Sequence, residues 1–429
     1  MKRTGLAPAL AAGLLMLLAS CGSPIITGMK VHIQNGEYQD AIDLADQAIA
    51  SGENVTAELW IWRGKAMGNL RDWAGAAESF TQAYGLDPSV APDLADFWYV
   101  YYNTAANLAA DGSTADAIAM LEQGTTIVPS RPEFDMMLGD IALNSDDLIG
   151  ALDHFETSWQ LSDPIIADLQ ERLDTETDPA VLDWLQQTLD GAVANGVLSL
   201  YNAGTISKSL STRTEDDAEK QMYIDRAMTA FETALVYDPA NADILSAVAE
   251  VYLVEGDYGK ALEVFDEALA GVHQGVDEGW LTQDEADEMI GNIKLTKGFA
   301  LLEMGEYEEA ITELNETLQL LGREYSVMAN VAHAYFQMEE YEEALQYLDE
   351  ITEITGLTTE QLGYTHYMRF ACYIRMEEDE AAAEALETAL QYDPDNADYW
   401  EYLASTYSRL GRRNDAVEAM QRAEELRGN

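Results

Sequence analysis

The sequence predicts an all-α chain, an α-solenoid built from about ten helix–turn–helix units. Three observations carry that prediction. An alanine recurs at Ala41, Ala76, Ala117, Ala151, Ala227, Ala261, Ala310, Ala344, Ala382 and Ala416, and four of the intervals are 34 residues long. The same frame surrounds each alanine. A small or turn residue and usually an aromatic precede it, as in Gly36-Glu37-Tyr38, Gly256-Asp257-Tyr258 and Gly305-Glu306-Tyr307, and a large apolar residue follows four later, as at Phe80, Phe155, Phe265 and Leu348. Finally, the chain has only 10 prolines and no linker rich in proline, serine or glycine beyond its first 30 residues, so one architecture is expected throughout.

Each part of the unit has a physical reason. Small residues let the two helices approach, while Tyr and Phe fill the space toward the next unit. Asp-Pro halts the second helix and a following Asn or Asp caps the next one, as in Asp238-Pro239-Ala240-Asn241 and Asp393-Pro394-Asp395-Asn396. Pro88 and Pro129 close two further units. These acid-rich turns lack the glycine and distal glutamate of an EF-hand loop, so capping explains them better than calcium.

The unit from Trp60 shows the frame most fully, with Gly64, Trp73, Ala76, Phe80, Ala83 and Pro88. The last unit keeps Trp400, Leu403, Ala404, Tyr407, Gly411, Ala416, Met420 and Ala423. The pattern resembles the tetratricopeptide repeat (TPR), and the resemblance covers nearly all of residues 25–427. It implies a right-handed superhelix of TPR-like pairs that binds other proteins.

At the N-terminus, Lys2 and Arg3 precede an apolar run from Leu6 to Ala19. This is the layout of a secretory signal peptide, and the run is too short for a spanning helix of roughly 20 apolar residues. Leu18-Ala19-Ser20-Cys21 resembles the bacterial lipobox, whose cysteine is lipidated and becomes the first mature residue. The expectation is therefore a signal peptide over 1–20 and a lipidated N-terminus with a short tether over 21–24. The chain would be extracytoplasmic, held in a bacterial membrane by acyl groups such as palmitate on Cys21. Gly22, in place of Asp, would permit the outer membrane if the source has two. Only Cys372 then remains, and its apolar helical surroundings mark it as a core residue.

The frame divides the rest into repeats 1–4 (25–164), a helical insertion with the extended first helix of repeat 5 (165–220), repeats 5–6 (221–270), a second insertion (271–290) and repeats 7–10 (291–429). In the first insertion Asp178-Pro179 is expected to open a helix through Trp184 and Leu189, and polar Thr205 to Gln221 reads as an exposed loop. In the second, Thr282-Gln283-Asp284-Glu285 is a capping box that starts the next helix early. Neither insertion reaches the size of an independent domain.

With 78 acidic and 23 basic residues the formal net charge is -55, which excludes nucleic acid and docking on anionic lipid through a basic face. The acids are spread over most helices, as a solvated surface or adaptation to salt requires; a pull on basic partners or divalent cations is the other reading. His32, His154, His273, His333 and His366 have no zinc-ligand spacing, and neither a phosphate loop nor a nucleophile elbow occurs. No catalysis, cofactor or metal is expected.

By the TPR resemblance, the first helix of each unit lines a ligand groove. The groove candidates are Trp62, Lys65, Tyr102, Asn103, Tyr201, Asn202, Asn330, His333, Phe336 and Tyr367. The asparagines among them could bond a peptide backbone through both donor and acceptor. About two rings of Phe97-Trp98-Tyr99-Val100-Tyr101-Tyr102 could also reach the groove. The family's carboxylate clamp needs clustered cations, and here Lys65, Arg375 and Arg409 are scattered. A neutral or basic protein or peptide suits the field better. The C-terminal arginines, Arg409 to Arg427, read either as a contact for an acidic partner or as turn and helix-end residues. The leading expectation is a membrane-anchored scaffold in envelope assembly, secretion or polysaccharide export. The alternative is a receptor that takes a peptide or small ligand in the concave groove.

Overall fold

The structure is a computed structural model that describes residues 23–428. Cys21, the predicted lipidation site, and the predicted signal peptide lie outside the described residues. The described part is all-α, an α-solenoid of TPR type, and it divides into two compact units between Leu210 and Ser211. No described helix is long and apolar enough to cross a membrane.

The first unit runs through α1 (Pro24–Gln34), α2 (Tyr38–Ser51), α3 (Ala57–Asn69), α4 (Trp73–Leu86), α5 (Trp98–Ala110), α6 (Thr114–Ile127), α7 (Pro132–Asn144), α8 (Leu148–Thr175) and α9 (Pro179–Arg213), whose last turn passes the boundary. The second comprises α10 (Asp217–Tyr237), α11 (Ala242–Glu255), α12 (Tyr258–Glu278), α13 (Gln283–Met304), α14 (Tyr307–Leu321), α15 (Tyr325–Gln337), α16 (Tyr341–Thr352), α17 (Thr359–Arg375), α18 (Asp379–Tyr392), α19 (Ala397–Arg409) and α20 (Arg413–Arg427).

Within every pair but α9–α10 the turn uses one device. A residue in the left-handed region stands two positions before the second helix: Gly36, Gly112, Gly256, Gly305 and Gly411, but also Arg71, Asp146, Glu339 and Glu377. The next amide then bonds back five residues, as Glu37 N does to His32 O (2.8 Å) and Glu340 N to Tyr335 O (2.9 Å). Four pairs hold this geometry without glycine, against the usual cost of about 1–2 kcal/mol for an L side chain. Between pairs the Asn caps appear as the sequence implies: Asn241 accepts from Ile244 N (3.1 Å) and Asn396 from Tyr399 N (3.2 Å).

The recurrent alanines all lie in second helices and are buried. The packing rule is a small residue on the first helix facing a large one sixteen positions on. A Cβ on Gly64 would come within 2.5 Å of the Phe80 ring, and one on Gly139 within 3.0 Å of Phe155. Ala105 with Leu121, Ala249 with Phe265 and Ala332 with Leu348 occupy the same positions, all buried. The first pair exchanges the sizes, with buried Met29 on α1 and Ala45 on α2. Total volume at the helix crossing is thereby kept. Cys372 is fully buried and its thiol is pushed up to about 12 by burial, so it fills core space and is not a thiolate.

Both insertions are made of added helical turns. The segment Thr205 to Gln221, expected to be an exposed loop, is helical through Arg213 and again from Asp217. Ser199, Leu200, Ala203, Ile206, Ser207 and Ser211 are buried at helical spacing, so the small serines face inward. Ser199 donates to Asn195 O (3.0 Å), the back-bond that lets serine sit inside a helix. In the second insertion Thr282 and Glu285 form the expected capping box, and α13 starts there.

Two ion networks staple neighbouring helices. Lys294 and Lys297 on α13 reach Glu313 on α14 (2.6 and 2.9 Å), and Lys297 also reaches Asp266 on α12 (2.7 Å). Burial pulls both lysine pKa values down, but the carboxylates outweigh it and hold them above the ordinary value. Glu313→Gln is expected to cost the second unit about 1–3 kcal/mol, read as a lower denaturant midpoint, because two poorly solvated ammoniums lose their shared partner.

In the first unit His154 on α8 lies 3.0 Å from buried Asp135 on α7. That hydrogen bond raises the imidazole pKa, burial opposes it, and Asp153 and Asp147 add to the rise. The pair therefore contributes fully below the unfolded imidazole value of about 6.5 and fades as pH rises through the raised native value. Denaturant midpoints measured across that range should fall for the wild type relative to His154→Gln, which lacks the titrating group.

Candidate functional site

In the first unit, α3 is started by Thr56, which accepts from Leu59 N (3.3 Å), and α4 by Asp72, which accepts from Gly75 N (3.0 Å). After α4, Asp87 accepts from the Ser89 hydroxyl (2.7 Å) and amide (3.0 Å), which lowers its carboxyl pKa and folds the chain into a Pro88–Val90 turn. That turn brings Phe97 against Phe80, with ring centroids 5.2 Å apart. The result is a cleft of about 910 Å³ lined by Trp62, Lys65 and Phe97 with Glu58, Asp93 and Asp96.

Lys65 is held by rings, its Nζ 4.7 Å from the Trp62 centroid and 5.0 Å from Phe97. Lys30 pairs with Glu58 (2.9 Å) beside the same indole, and that hydrogen bond holds the Glu58 carboxyl below its usual range. Two sequence candidates, Trp62 and Lys65, thus converge with Phe97, the ring of the aromatic run that reaches the cleft. Tyr101 of that run is fully buried. Among the described residues Tyr102 and Asn103 do not line this cleft. Tyr102 packs edge-on to Trp98 (5.9 Å), and Asn103 gives its amide hydrogen to Tyr99 O of its own helix (2.6 Å). Tyr201 and Asn202 are half-buried on α9.

In the second unit, Asn330, His333 and Phe336 share one face of α15 at three-residue spacing, all half-buried. Burial lowers the His333 pKa, so the ring is neutral near pH 7, and its Nε2 lies 3.2 Å from the Gln337 amide. Phe336 packs edge-on to Tyr341 (5.6 Å). Tyr367 on α17 lies in a larger aromatic group with Tyr364, Phe370, Tyr399 and Tyr402. Sequence reading missed the last four. The available signal was Tyr364/Tyr367 and Tyr399/Tyr402, the same three-residue step in consecutive first helices.

Four of the five C-terminal arginines form ion pairs within the unit, and for Arg413 no ion pair is described. Arg409 pairs with Asp379 (2.7 Å), Arg412 with Asp415 (2.6 Å), Arg422 with Asp395 (3.3 Å) and Arg427 with Asp398 (2.7 Å). Arg409 links α19 to α18 and Arg427 links α20 to α19, whereas Arg422 ties α20 to the turn before α19 and Arg412 pairs locally at the start of α20. His32, Glu37 and Asp40 at the α1–α2 turn bring potential ligand atoms within 4.8 Å of one another, the one such trio among the described residues. A His32–Glu37 contact of 2.7 Å on an exposed turn accounts for it.

No curated protein matches the chain. Among solved structures it is similar to residues 41-end of MamA from Desulfovibrio magneticus RS-1, with 19% identity, 44% of this chain and 95% of that one covered, and a TM-score of 0.36. A tetratricopeptide repeat protein from Parabacteroides merdae ATCC 43184 gives 14%, 69%, 93% and 0.42. YrrB, a TPR protein with an unusual peptide-binding site, gives 18%, 47%, 93% and 0.35. Tetratricopeptide repeat models match residues 30–91, 217–274, 301–360 and 373–429. With the repeat frame, the helix pairs and these matches in agreement, the chain belongs to the tetratricopeptide repeat family.

Proposed function

We propose that this chain is a membrane-tethered scaffold that holds neutral or basic segments of partner proteins against the first helices of its repeats, in envelope assembly, secretion or polysaccharide export. TPR membership supports protein–protein interaction as the general role. The observation that carries the finer reading is the chemistry of the clefts. In each unit, rings on or just before first helices stand beside carboxylates without a described ion pair: Trp62 and Phe97 with Asp93 and Asp96, and Tyr364 and Tyr399 with Glu360 and Asp393. Rings supply area at low entropic cost, and a net charge of -55 draws cationic or neutral chains inward. The tether is assigned to Cys21 on the lipobox-like run before it. The test is a chemical crosslink in whole cells followed by pull-down from solubilised membranes. The expected result is one or a few discrete protein partners; recovery of nothing above the untagged background counts against the scaffold.

A further inference from the structure

The face formed by α17 and α19 is specialised beyond a general docking surface. Tyr367 stacks on Tyr399 (centroids 5.2 Å apart, planes at 14°) and on Tyr402 (6.0 Å, 28°), and Tyr402 stacks on Phe370 (5.8 Å, 21°). Tyr364 extends the row, 6.3 Å from Tyr367. Its outer members stay in water: Tyr364 is 43% and Tyr402 41% exposed. Beside the row lies a cleft of about 580 Å³ lined by Tyr325, Tyr364, Tyr392 and Tyr399 together with Glu360 and Asp393.

Charge decides what such a face fits. No lysine or arginine is among the residues described as lining the cleft, and among the described ion pairs none involves Glu360 or Asp393. Of the arginines nearby in sequence, Arg369 pairs with Asp349 (3.1 Å), Arg409 with Asp379, Arg422 with Asp395 and Arg427 with Asp398, while Arg375 stands at the far end of α17 from Glu360 and Tyr364. Burial raises the phenol pKa of Tyr325, Tyr364 and Tyr367, and that of Tyr399 to about 12, so these rings remain neutral with electron-rich faces. Asp393 accepts from the Asn396 amide (2.9 Å), which leaves its negative charge uncompensated. Neutral rings beside carboxylates without a cationic partner attract a cation with a flat, weakly hydrated surface. The chain already uses this chemistry internally: the Arg412 guanidinium sits 4.0 Å over the Tyr407 ring with Asp415 at its edge.

We infer that the α17–α19 face binds arginine side chains of an extended basic segment of a partner protein, guanidinium planes lying on Tyr364 and Tyr402 and reaching Glu360 or Asp393. The inference rests on the scaffold reading above and names the partner's chemistry at one of its faces. Arginine is favoured over lysine because a guanidinium can stack on a ring and donate two parallel hydrogen bonds to a carboxylate at once.

The test is calorimetric titration of the purified protein at about 150 mM salt, where charges beyond roughly 8 Å are screened. The probes are capped peptides alternating glycine with arginine, lysine or citrulline. The arginine peptide should bind, the lysine peptide several-fold more weakly, and the uncharged citrulline peptide not measurably. The double variant Tyr364→Ala/Tyr402→Ala alters no charge and should weaken arginine binding about tenfold, as loss of two ring contacts implies. Tyr402→Phe, which keeps the ring, should retain it, and Tyr402→Leu, which keeps apolar volume alone, should not. These single variants decide the matter if the double one fails to fold.

Equal binding by wild type and the ring-deleted variants would overturn the inference, since the general acidity would then suffice. So would equal affinity for lysine and arginine, or binding of a neutral oligosaccharide such as maltohexaose that blocks the peptide. The two readings fail separately. Partners recovered from membranes without any arginine response sink only this inference, whereas a ring-dependent arginine response with no recoverable partner sinks the scaffold.

Discussion

Phe80→Ala is expected to cost the first unit about 3–5 kcal/mol, the usual range for emptying a fully buried phenylalanine site. Phe80 has no exposed surface, and it packs where Gly64 leaves no Cβ of its own. The helices cannot close this gap by themselves, because Ala76, Ala77 and Ala83 already bring α4 close to its neighbours. Phe80 also supports Phe97, 5.2 Å away, so the cleft around Lys65 should loosen together with the core. The informative variant is the double one. The first pair carries its bulk on the first helix, as Met29 with Ala45, so Gly64→Met added to Phe80→Ala should return about 1–2 kcal/mol by repacking in the reverse sense. Denaturant titration of the four members of the cycle measures this. A double variant no more stable than Phe80→Ala alone would show that volume at the crossing is not what the frame conserves.

Cys21→Ser is expected to have the largest effect on where the chain resides. One acyl chain gives only marginal membrane binding, at about 10⁴ M⁻¹, whereas two or three on one residue anchor stably. No described helix offers a substitute span, and the face of the protein is too acidic to dock on anionic lipid. The wild type should incorporate labelled palmitate and follow the detergent phase on separation. The serine variant should lose both the label and that partition. Label retained in Cys21→Ser places the lipid on another residue, and a wild type without label removes the tether from the account.

The repeat was legible in the sequence because its physics is local. Alanine at a helix crossing, glycine two residues before the second helix and Asn after Asp-Pro each state their role in a few residues. Arg71, Glu339 and Glu377 are harder, because nothing in their chemistry announces a left-handed turn. Asp146, a residue type that tolerates that region, only hints at one; the frame places all four there. The misread stretch from Thr205 failed for a related reason. Ser and Thr favour turns in isolation, but at buried helical positions such as Ser207 and Ser211 they act as small packing residues.

The candidate site was legible only in part. Trp62 and Lys65 stand on one face of one helix, and the structure places both at the same cleft. Phe97 joins them through a turn whose path depends on Asp87 and Ser89. Asn103 spends its donor on its own helix, which spacing cannot reveal. The aromatic row of α17 and α19 depends on how two helices one repeat apart present their rings, a property of packing and not of either segment alone.

The central claim, that clefts on the first helices receive partner proteins, is tested most directly by position. A photoreactive phenylalanine analogue placed at Trp62, at Tyr364, or at Val236 on α10, which is 74% exposed, samples two clefts and one outer surface. Irradiation of living cells should give discrete adducts from positions 62 and 364 and none from 236. Adducts from 236 alone, or no adduct from either cleft, would contradict it.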